Sequence, residues 1–264
     1  AQAKILAAIE GEGYTDIVLD RTPFYAECGG QVGDSGYIVN ENLKAEVLTT
    51  FKVNHLFVHR CQVVNGEVKV GDYAFAQIDS ARRAQIRVHH TSAHLLQAAL
   101  IKVLGDEVKQ AGSQVEDNRM RFDFTFSRAM TPQEVKKTED IMNKWIGEKL
   151  PVNTDVMGIE EAKLTGATAL FGEKYEDVVR VVSIGGKAKC NCGSDCSCDH
   201  ESGEEKEVIS KEFCAGTHAS NTADLRLVKI VSEGAIAAGT RRIEAVVADA
   251  AIDYLNAKSA EIDK

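Results

Sequence analysis

Two pairs of potential metal ligands, about 120 residues apart, most constrain the fold of this chain. His90 and His94 are four residues apart in RVHHTSAHLL, and Cys214 and His218 have the same spacing in CAGTH. Residues four apart on a helix lie on one face, so both imidazoles of the first pair can reach one ion. The second pair completes a Cys-His₃ set of the kind that zinc favours. A fold that uses this site must bring two distant segments together.

The segment HTSAH differs from the HExxH helix of zinc proteases at one informative position. Thr91 stands where those enzymes have the glutamate that acts as general base. The sequence therefore argues against a protease of that type. A histidine on a helix is commonly a structural core residue, but two in helical register favour the ligand interpretation.

Short strands predominate up to about residue 85. Five apolar stretches between residues 13 and 85, separated by Gly, Asn and Asp, have the length and spacing of strands in a small barrel or sandwich. From Thr91 onward, apolar residues recur every three or four positions, which predicts a helix ending near Gly105. Thr131 followed by Pro132 predicts the start of a second helix.

The rest of the chain mixes both element types. The sequence predicts strands at MRFDFTF, DVVRVVSIGG and LVKIVSEGAI, a helix at GIEEAKLTG, and a C-terminal helix over EAVVADAAIDYLNAKSAEI. An α+β class with an antiparallel sheet follows. We expect a β-barrel over residues 1–85, an α+β zinc-binding domain over 86–245, and a helix over 246–264 that leads to a coiled extension. The absence of an initial methionine suggests a piece of a longer protein.

The formal net charge of −9 argues against a general nucleic-acid or DNA coat protein. Six acids and one lysine between Asp195 and Glu207 give that segment a net charge of −5, so the remainder is only mildly acidic. No apolar run approaches the roughly 20 residues of a membrane span, and the first residues lack the layout of a secretory signal. These features predict a cytoplasmic protein without a membrane partner.

A cysteine-rich stretch, KCNCGSDCSCDH, precedes the CAGTH motif. Its potential ligands are Cys190, Cys192, Cys196, Cys198 and His200. They could hold a second zinc ion, or they could belong to a solvated segment that happens to carry thiols. The C-x-C spacing differs from the C-x-x-C of zinc ribbons, which leaves both interpretations open.

Several motifs resemble one family in the same order along the chain. HTSAH, CAGTH, TPFYAECGGQVGDSG, RFDF, LFGEKYEDVVRVVSIG and GTRRIEAV are similar to the editing domain of alanyl-tRNA synthetases and to its free-standing AlaX relatives. The resemblance extends from about Thr22 to Ala245. It implies a zinc-dependent hydrolase that removes serine or glycine wrongly attached to the tRNA for alanine. It also implies that His90, His94, Cys214 and His218 are the zinc ligands.

The resemblance implies roles for further residues. In the family, a glutamine that follows the helix with the two histidines takes part in editing, and the corresponding residue here is Gln110. We call this helix, which carries His90 and His94, the zinc helix. The glycine-rich loop faces the editing pocket in the family, so Gly29, Gly30 and Gln31 are expected to line that pocket, with a tight turn as the alternative interpretation of the glycines. Either Thr91 or Gln31 is expected to contact the serine hydroxyl, because a polar partner discriminates serine from alanine better than size does.

An acidic chain that binds a tRNA end needs local positive charge. Five arginines, before the zinc helix and in GTRR, are candidates for phosphate contacts, because a guanidinium donates two bonds at once: Arg82, Arg83, Arg87, Arg241 and Arg242. The alternative for each is a solvated surface position.

Three functions remain open at this point. The chain is expected to be a piece of an alanyl-tRNA synthetase, whose other parts would bind ATP and act as ligase, because no class II aminoacylation core is recognisable here. It could instead be a complete AlaX-type editing protein. A third possibility is a metal-binding or redox module whose working part is the cysteine-rich stretch.

Overall fold

The computed structural model describes residues 1–169, 175–188 and 205–262. The cysteine-rich stretch from Cys190 to His200 lies outside the described residues. The chain divides into two compact units, Ala1–Ile86 and Arg87–Lys264. Among the helices that the structure describes, none combines the length and the apolar character that a membrane span requires.

The first unit contains a closed barrel of antiparallel strands in the order β1-β2-β5-β4-β3-β6. Alternate residues, such as Ile5, Ile17 and Ile38, point inward and are fully buried, as the period of two requires. The predicted N-terminal barrel is therefore confirmed. Its strands are β1 (Gln2–Glu10), β2 (Thr15–Leu19), β3 (Gly36–Asn40), β4 (Leu43–Val53), β5 (Leu56–Gly66) and β6 (Tyr73–Ile78).

The glycine-rich loop forms a tight turn. Cys28 and Gln31 exchange two backbone hydrogen bonds of 3.2 and 3.0 Å across Gly29 and Gly30. Both glycines have positive φ, 58° and 82°, which is the conformation of a two-residue type I′ turn. At Gly33, a Cβ would lie 2.0 Å from the carbonyl oxygen of Thr50, so only glycine allows this close approach. The turn interpretation of the glycines is confirmed.

The second unit contains two antiparallel sheets and the helices around them. The sheet orders are β11-β10-β9 and β12-β13-β8-β7. This mixture of helices and antiparallel sheets confirms the α+β class. The strands are β7 (Gln110–Val115), β8 (Met120–Thr125), β9 (Val152–Gly158), β10 (Val178–Gly186), β11 (Lys206–Phe213), β12 (Val228–Ala237) and β13 (Thr240–Val247). The helices are α2 (Pro132–Gly147), α3 (Ile159–Leu164) and α4 (Asp249–Ile262).

Helix α1 (Ser80–Leu104) begins earlier than the apolar pattern predicts, and its first turns belong to the first unit. Asp79 accepts the backbone N–H of Arg82 at 2.9 Å, as an N-cap residue does. The pattern missed this start because residues from Val88 to Gln97 are buried on every side of the helix. A helix that is buried all round carries no amphipathic stripe that would mark its ends.

The C-terminal helix was predicted from Glu244, but residues up to Val247 belong to β13. Val246 and Val247 are β-branched and pair with β12, which favours the strand. Ala248 has a φ of 54° and separates the strand from α4, which begins at Asp249. The second helix, in contrast, starts as predicted, because Thr131 and Glu134 form a capping box at its N-terminus.

Helix α2 covers the exposed edge of the four-stranded sheet. Asn143 donates to the carbonyl of Val228 and accepts its N–H, both at 3.0 Å, in the way a neighbouring strand would. One turn earlier, Glu139 accepts the N–H of Ile230 at 2.8 Å. Strand β12 is the edge of its sheet, so these side chains satisfy backbone groups that would otherwise be open to another chain.

We expect Asn143→Ala to lower the free energy of unfolding by about 1–3 kcal/mol, because it leaves the N–H and carbonyl of Val228 without their partners. Urea denaturation followed by circular dichroism measures the change. Lys136→Ala is the matched control on the same helix, since its pair with Asp140 is exposed and is worth less than about 1 kcal/mol. Equal stabilities for the two variants would contradict the edge-covering role of Asn143.

Candidate metal centre

The fold brings the four predicted metal ligands together. His90 and His94 lie one turn apart on α1, and their rings are stacked with centroids 5.5 Å apart. Cys214 and His218 belong to the segment that follows β11. The four potential ligand atoms all lie within 4.8 Å of one another. Two segments about 120 residues apart in the chain therefore meet at one point.

The spacing of these atoms fits a tetrahedral zinc ion. Bonds of about 2.3 Å to sulfur and about 2.1 Å to nitrogen, at a tetrahedral angle, place the two ligand atoms about 3.6 Å apart. The Cys214 Sγ lies 3.4 Å from Nε2 of His90 and 3.2 Å from Nε2 of His218. The Nε2 atom of His94 is buried and has no hydrogen-bond partner among the described residues, so its lone pair is available to a metal ion.

Two of the imidazoles, those of His94 and His218, make a second contact with the protein through Nδ1, the ring nitrogen that does not face the other ligands. Nδ1 of His94 lies 2.9 Å from a carboxylate oxygen of Glu212. Nδ1 of His218 lies 3.3 Å from the hydroxyl oxygen of Thr91. Metal-binding histidines are typically oriented by such outer contacts, which leave Nε2 for the ion. The arrangement thus provides outer partners as well as ligand atoms.

The CAGTH loop is fixed by Arg180 on strand β10. The guanidinium of Arg180 donates to the carbonyl oxygens of Ala215 and Gly216 at 2.6 and 2.9 Å. The backbone N–H of Cys214 donates to the carbonyl of Arg180 at 3.0 Å. These bonds define the conformation of the residues between Cys214 and His218.

The electrostatics of the cluster favour a thiolate. Burial alone would raise the pKa of Cys214, but the electrostatic attraction and hydrogen bonds that His90 and His218 offer to a thiolate outweigh burial and hold the pKa well below its usual value. Burial lowers the pKa of His218 to about 3, with a contribution from the charge of His90. Thiolate and neutral imidazole are the forms that bind metal ions.

His94 differs from its neighbours because it faces a carboxylate. Burial would lower its pKa, but the charges of Glu212 and Cys214 outweigh burial and hold the pKa well above its usual value. Nδ1 of His94 and a carboxylate oxygen of Glu212 are 2.9 Å apart, so the carboxylate that raises this pKa is in direct contact with the ring.

Thr91 is fully buried at the centre of these contacts. Its hydroxyl donates to the carbonyl of Arg87 at 2.9 Å and accepts the backbone N–H of Ala219 at 3.0 Å. With His218 as third neighbour, the one donor and two acceptor positions of a hydroxyl are all used within the protein. Gln31 is also fully buried, in the first unit. Contact of either side chain with a substrate hydroxyl stays a prediction.

The five candidate arginines have different surroundings. Arg241 forms a two-bond pair with Glu233, at 2.6 and 2.8 Å, and Arg242 forms one with Asp123, at 2.7 and 2.8 Å. The second pair joins the GTRR and RFDF motifs, whose strands lie side by side with Arg242 opposite Asp123. The remaining three, Arg82, Arg83 and Arg87, lie on α1.

Arg83 forms an ion pair with Asp34, a carboxylate that is almost completely buried. Arg82 donates to the carbonyl of Gly33 at 2.9 Å. Both side chains therefore fasten the end of the glycine-rich loop within the first unit. Arg87 is the exposed one among the five arginines.

Gln110 is the first residue of edge strand β7, opposite Phe124, and it is half-buried. Within the described part of the chain, no hydrogen bond joins it to the four ligands. Its role stays a prediction, as do the pocket roles of Gly29 and Gly30.

The sequence interpretation missed Glu212, Ser210 and Arg180. A usable signal existed for two of them, since Ser210, Glu212 and Cys214 are spaced by two residues, the period that places side chains on one face of a strand. Strand β11 was missed, because the sequence analysis assigned no strand between DVVRVVSIGG and the CAGTH motif.

Two family models match the chain. The model for class II (A) tRNA synthetases matches residues 1–82, a segment in which the sequence alone showed no recognisable synthetase core. The model for the second additional domain of threonyl and alanyl tRNA synthetases matches residues 179–244, which include Cys214 and His218.

Curated relatives match almost the whole chain. The alanine–tRNA ligase of Synechococcus sp. (strain JA-3-3Ab) is 44% identical over 261 residues, 99% of this chain and 27% of that protein. The alanine–tRNA ligase of Acaryochloris marina is 40% identical over 271 residues, 99% of this chain and 28% of the relative. The alanine–tRNA ligase of Nostoc punctiforme is 45% identical over 240 residues, which are 91% of this chain and 25% of that protein. The chain thus spans about a quarter of the length of these relatives.

The matches extend over both structural units and include the clustered ligands of α1 and of the CAGTH loop. The resemblance seen in the motifs is therefore confirmed, because the chain is similar along almost its whole length to a segment of alanine–tRNA ligases, and part of it matches the second additional domain of threonyl and alanyl tRNA synthetases.

Proposed function

We propose that this chain hydrolyses the ester that joins serine or glycine to the tRNA for alanine, with a zinc ion held by His90, His94, Cys214 and His218. The observation that carries the proposal is the convergence of these four ligand atoms within 4.8 Å in a chain of this family. The tRNA acceptor end is the partner. The chain would act as one part of an alanyl-tRNA synthetase, since the relatives are about four times as long as this chain.

The reaction makes modest demands on the protein. Water adds to the ester carbonyl, and the products are the free amino acid and a tRNA with a free terminal hydroxyl. The aminoacyl ester is an activated bond, so no covalent enzyme intermediate is required. Zinc, when bound, supplies Lewis acidity or holds a substrate group in place. The residues of the chain must then bind the acceptor end, orient the carbonyl and align the water.

Four protein ligands distinguish this site from the usual catalytic zinc site, which keeps one position open. Either one of the four ligands would bind a zinc ion weakly, or the ion would serve to hold the substrate while a side chain of the protein aligns the water. Gln110 is the proposed side chain for that task, because an amide can donate to the carbonyl oxygen and accept from the water. Gly29, Gly30 and Gln31 are proposed to line the pocket.

The two rival functions are distinguished by simple measurements. A free-standing AlaX-type protein would have a native gene not much longer than this chain. A redox or metal module would lose its activity when the cysteines of the cysteine-rich stretch are replaced, whereas deacylation would survive. Serine replacements are preferable to deletion of residues 187–208, because β11 begins at Lys206.

We expect one zinc equivalent per chain when Cys190, Cys192, Cys196 and Cys198 are replaced by serine. Adding His94→Ala and Cys214→Ala to this background removes two of four ligands and should abolish stoichiometric zinc. Metal analysis by mass spectrometry measures the content. A full equivalent in the doubly substituted protein would show that zinc is bound elsewhere.

We expect Gln110→Ala to slow hydrolysis of seryl-tRNA by about 100-fold in single-turnover assays, because removal of a group that stabilises the reacting carbonyl typically costs that much. Zinc content and stability should not change. Gln114→Ala, on the same strand, is the control and should react at the normal rate. Normal hydrolysis by the Gln110 variant would remove this residue from the mechanism.

We expect Arg87→Ala to weaken tRNA binding and to lower the slope of log affinity against log salt by about one, as the loss of one phosphate contact does. Its side chain is exposed, so stability should be unchanged. Arg241→Ala should instead destabilise the fold, because it leaves the half-buried Glu233 carboxylate without its partner. Identical salt slopes for wild type and the Arg87 variant would contradict the phosphate contact.

A further inference from the structure

A buried carboxylate lies directly behind the cluster of four potential metal ligands, on the side away from their ligand atoms. Glu212 and His94 are 8% and 7% exposed, and their contact is 2.9 Å between Oε2 and Nδ1. Carboxylates are rarely buried without a partner that justifies the cost of removing them from water. None of the sequence motifs predicted a role for Glu212.

Both carboxylate oxygens are held in place. The hydroxyl of Ser210 donates to Oε1 of Glu212 at 2.7 Å, so Oε2 is left for the imidazole. Strand β11 pairs with β10 on one side, where Glu212 lies opposite Val182. On its other side, the backbone of Thr168 bonds to Lys211 and Phe213, each at 2.9 Å. The carboxylate thus projects from a strand that is fixed along both edges.

The outer partner of His218 is of a different kind. Nδ1 of that ring faces the neutral hydroxyl of Thr91, which has two further protein partners. His94 therefore differs from His218 in having a charged outer partner, and this partner is positioned by Ser210.

We propose that Glu212 is a positioning residue for the metal, which accepts a hydrogen bond from Nδ1–H of His94, turns Nε2 toward the ion and balances the charge of the loaded site. This inference rests on the proposed zinc site. A zinc ion with one thiolate and three neutral imidazoles carries a net charge of +1. The carboxylate of Glu212 brings this buried assembly to zero, which removes the penalty of an uncompensated charge.

The alternative is that the Glu212–His94 contact is only an ion pair that supports the fold. The two roles differ in what the loss of Glu212 changes. A positioning residue alters metal affinity and the spectrum of a bound ion, whereas a purely structural pair alters only the stability of the metal-free protein.

The test is a zinc titration of the full chain against a chromophoric chelator, in the background without the thiols of the cysteine-rich stretch. We expect about 10-fold weaker zinc binding for Glu212→Gln, which keeps an acceptor and loses the charge, and about 100-fold for Glu212→Leu. Ser210→Ala should weaken binding less than either. Glu207→Gln, an exposed position on the same strand, is the matched control and should bind as wild type does.

Two further measurements separate the outcomes. The cobalt-substituted proteins report the ligand field, and Glu212→Gln should shift the visible bands of Co²⁺ while Glu207→Gln should not. Thermal unfolding with excess chelator reports the stability of the metal-free chain. Glu212→Gln keeps the result interpretable if Glu212→Leu does not fold.

Wild-type affinity within twofold in Glu212→Gln, with unshifted Co²⁺ bands, would overturn the inference, and so would a loss of metal-free stability with no change in affinity. A wild-type chain that takes up no zinc at all would instead refute the proposed metal-dependent function. The two failures are therefore distinguishable.

Discussion

The contact between the histidine face of α1 and the segment after β11 is the interaction on which the metal centre depends. It includes hydrogen bonds between residues more than a hundred positions apart, from the Ala219 N–H to the Thr91 hydroxyl and between His94 and Glu212. All of these groups are largely buried, so breaking either bond leaves a polar group without water or partner. The helix and the loop are therefore held in one relative position before any ion is considered.

Family motifs in this chain serve the fold as much as the chemistry. The arginine of GTRR and the aspartate of RFDF bind each other across neighbouring strands, and Asp34 at the end of the glycine-rich loop binds Arg83. Thr91, at the position of the protease glutamate, braces a histidine and a backbone N–H. In this chain, residues of short polar motifs therefore form contacts that stabilise the fold.

The sequence was sufficient for the barrel, the α+β class and the four clustered ligands. Alternating apolar residues, a capping box and paired ligand spacings are local signals, and the structure contains the elements that they predict. The start of α1 was missed, because a helix that is buried on all sides shows no amphipathic pattern. The predicted start of the C-terminal helix was wrong, because tertiary pairing keeps residues up to Val247 in a strand. Glu212 escaped notice because its partner is 118 residues away, beyond any local pattern.

The pairing of β10 with β11 separates the metal centre from the cysteine-rich stretch that precedes it. Gly186 lies opposite Lys206, so the two ends of the intervening segment are joined by the sheet itself, and seven further residues of β11 follow before Cys214. The entropy cost of closing a loop grows only with the logarithm of its length, by about 0.6 kcal/mol for each doubling. Evolution can therefore lengthen or shorten this connection at little thermodynamic expense, and the geometry at Cys214 is insulated from such changes.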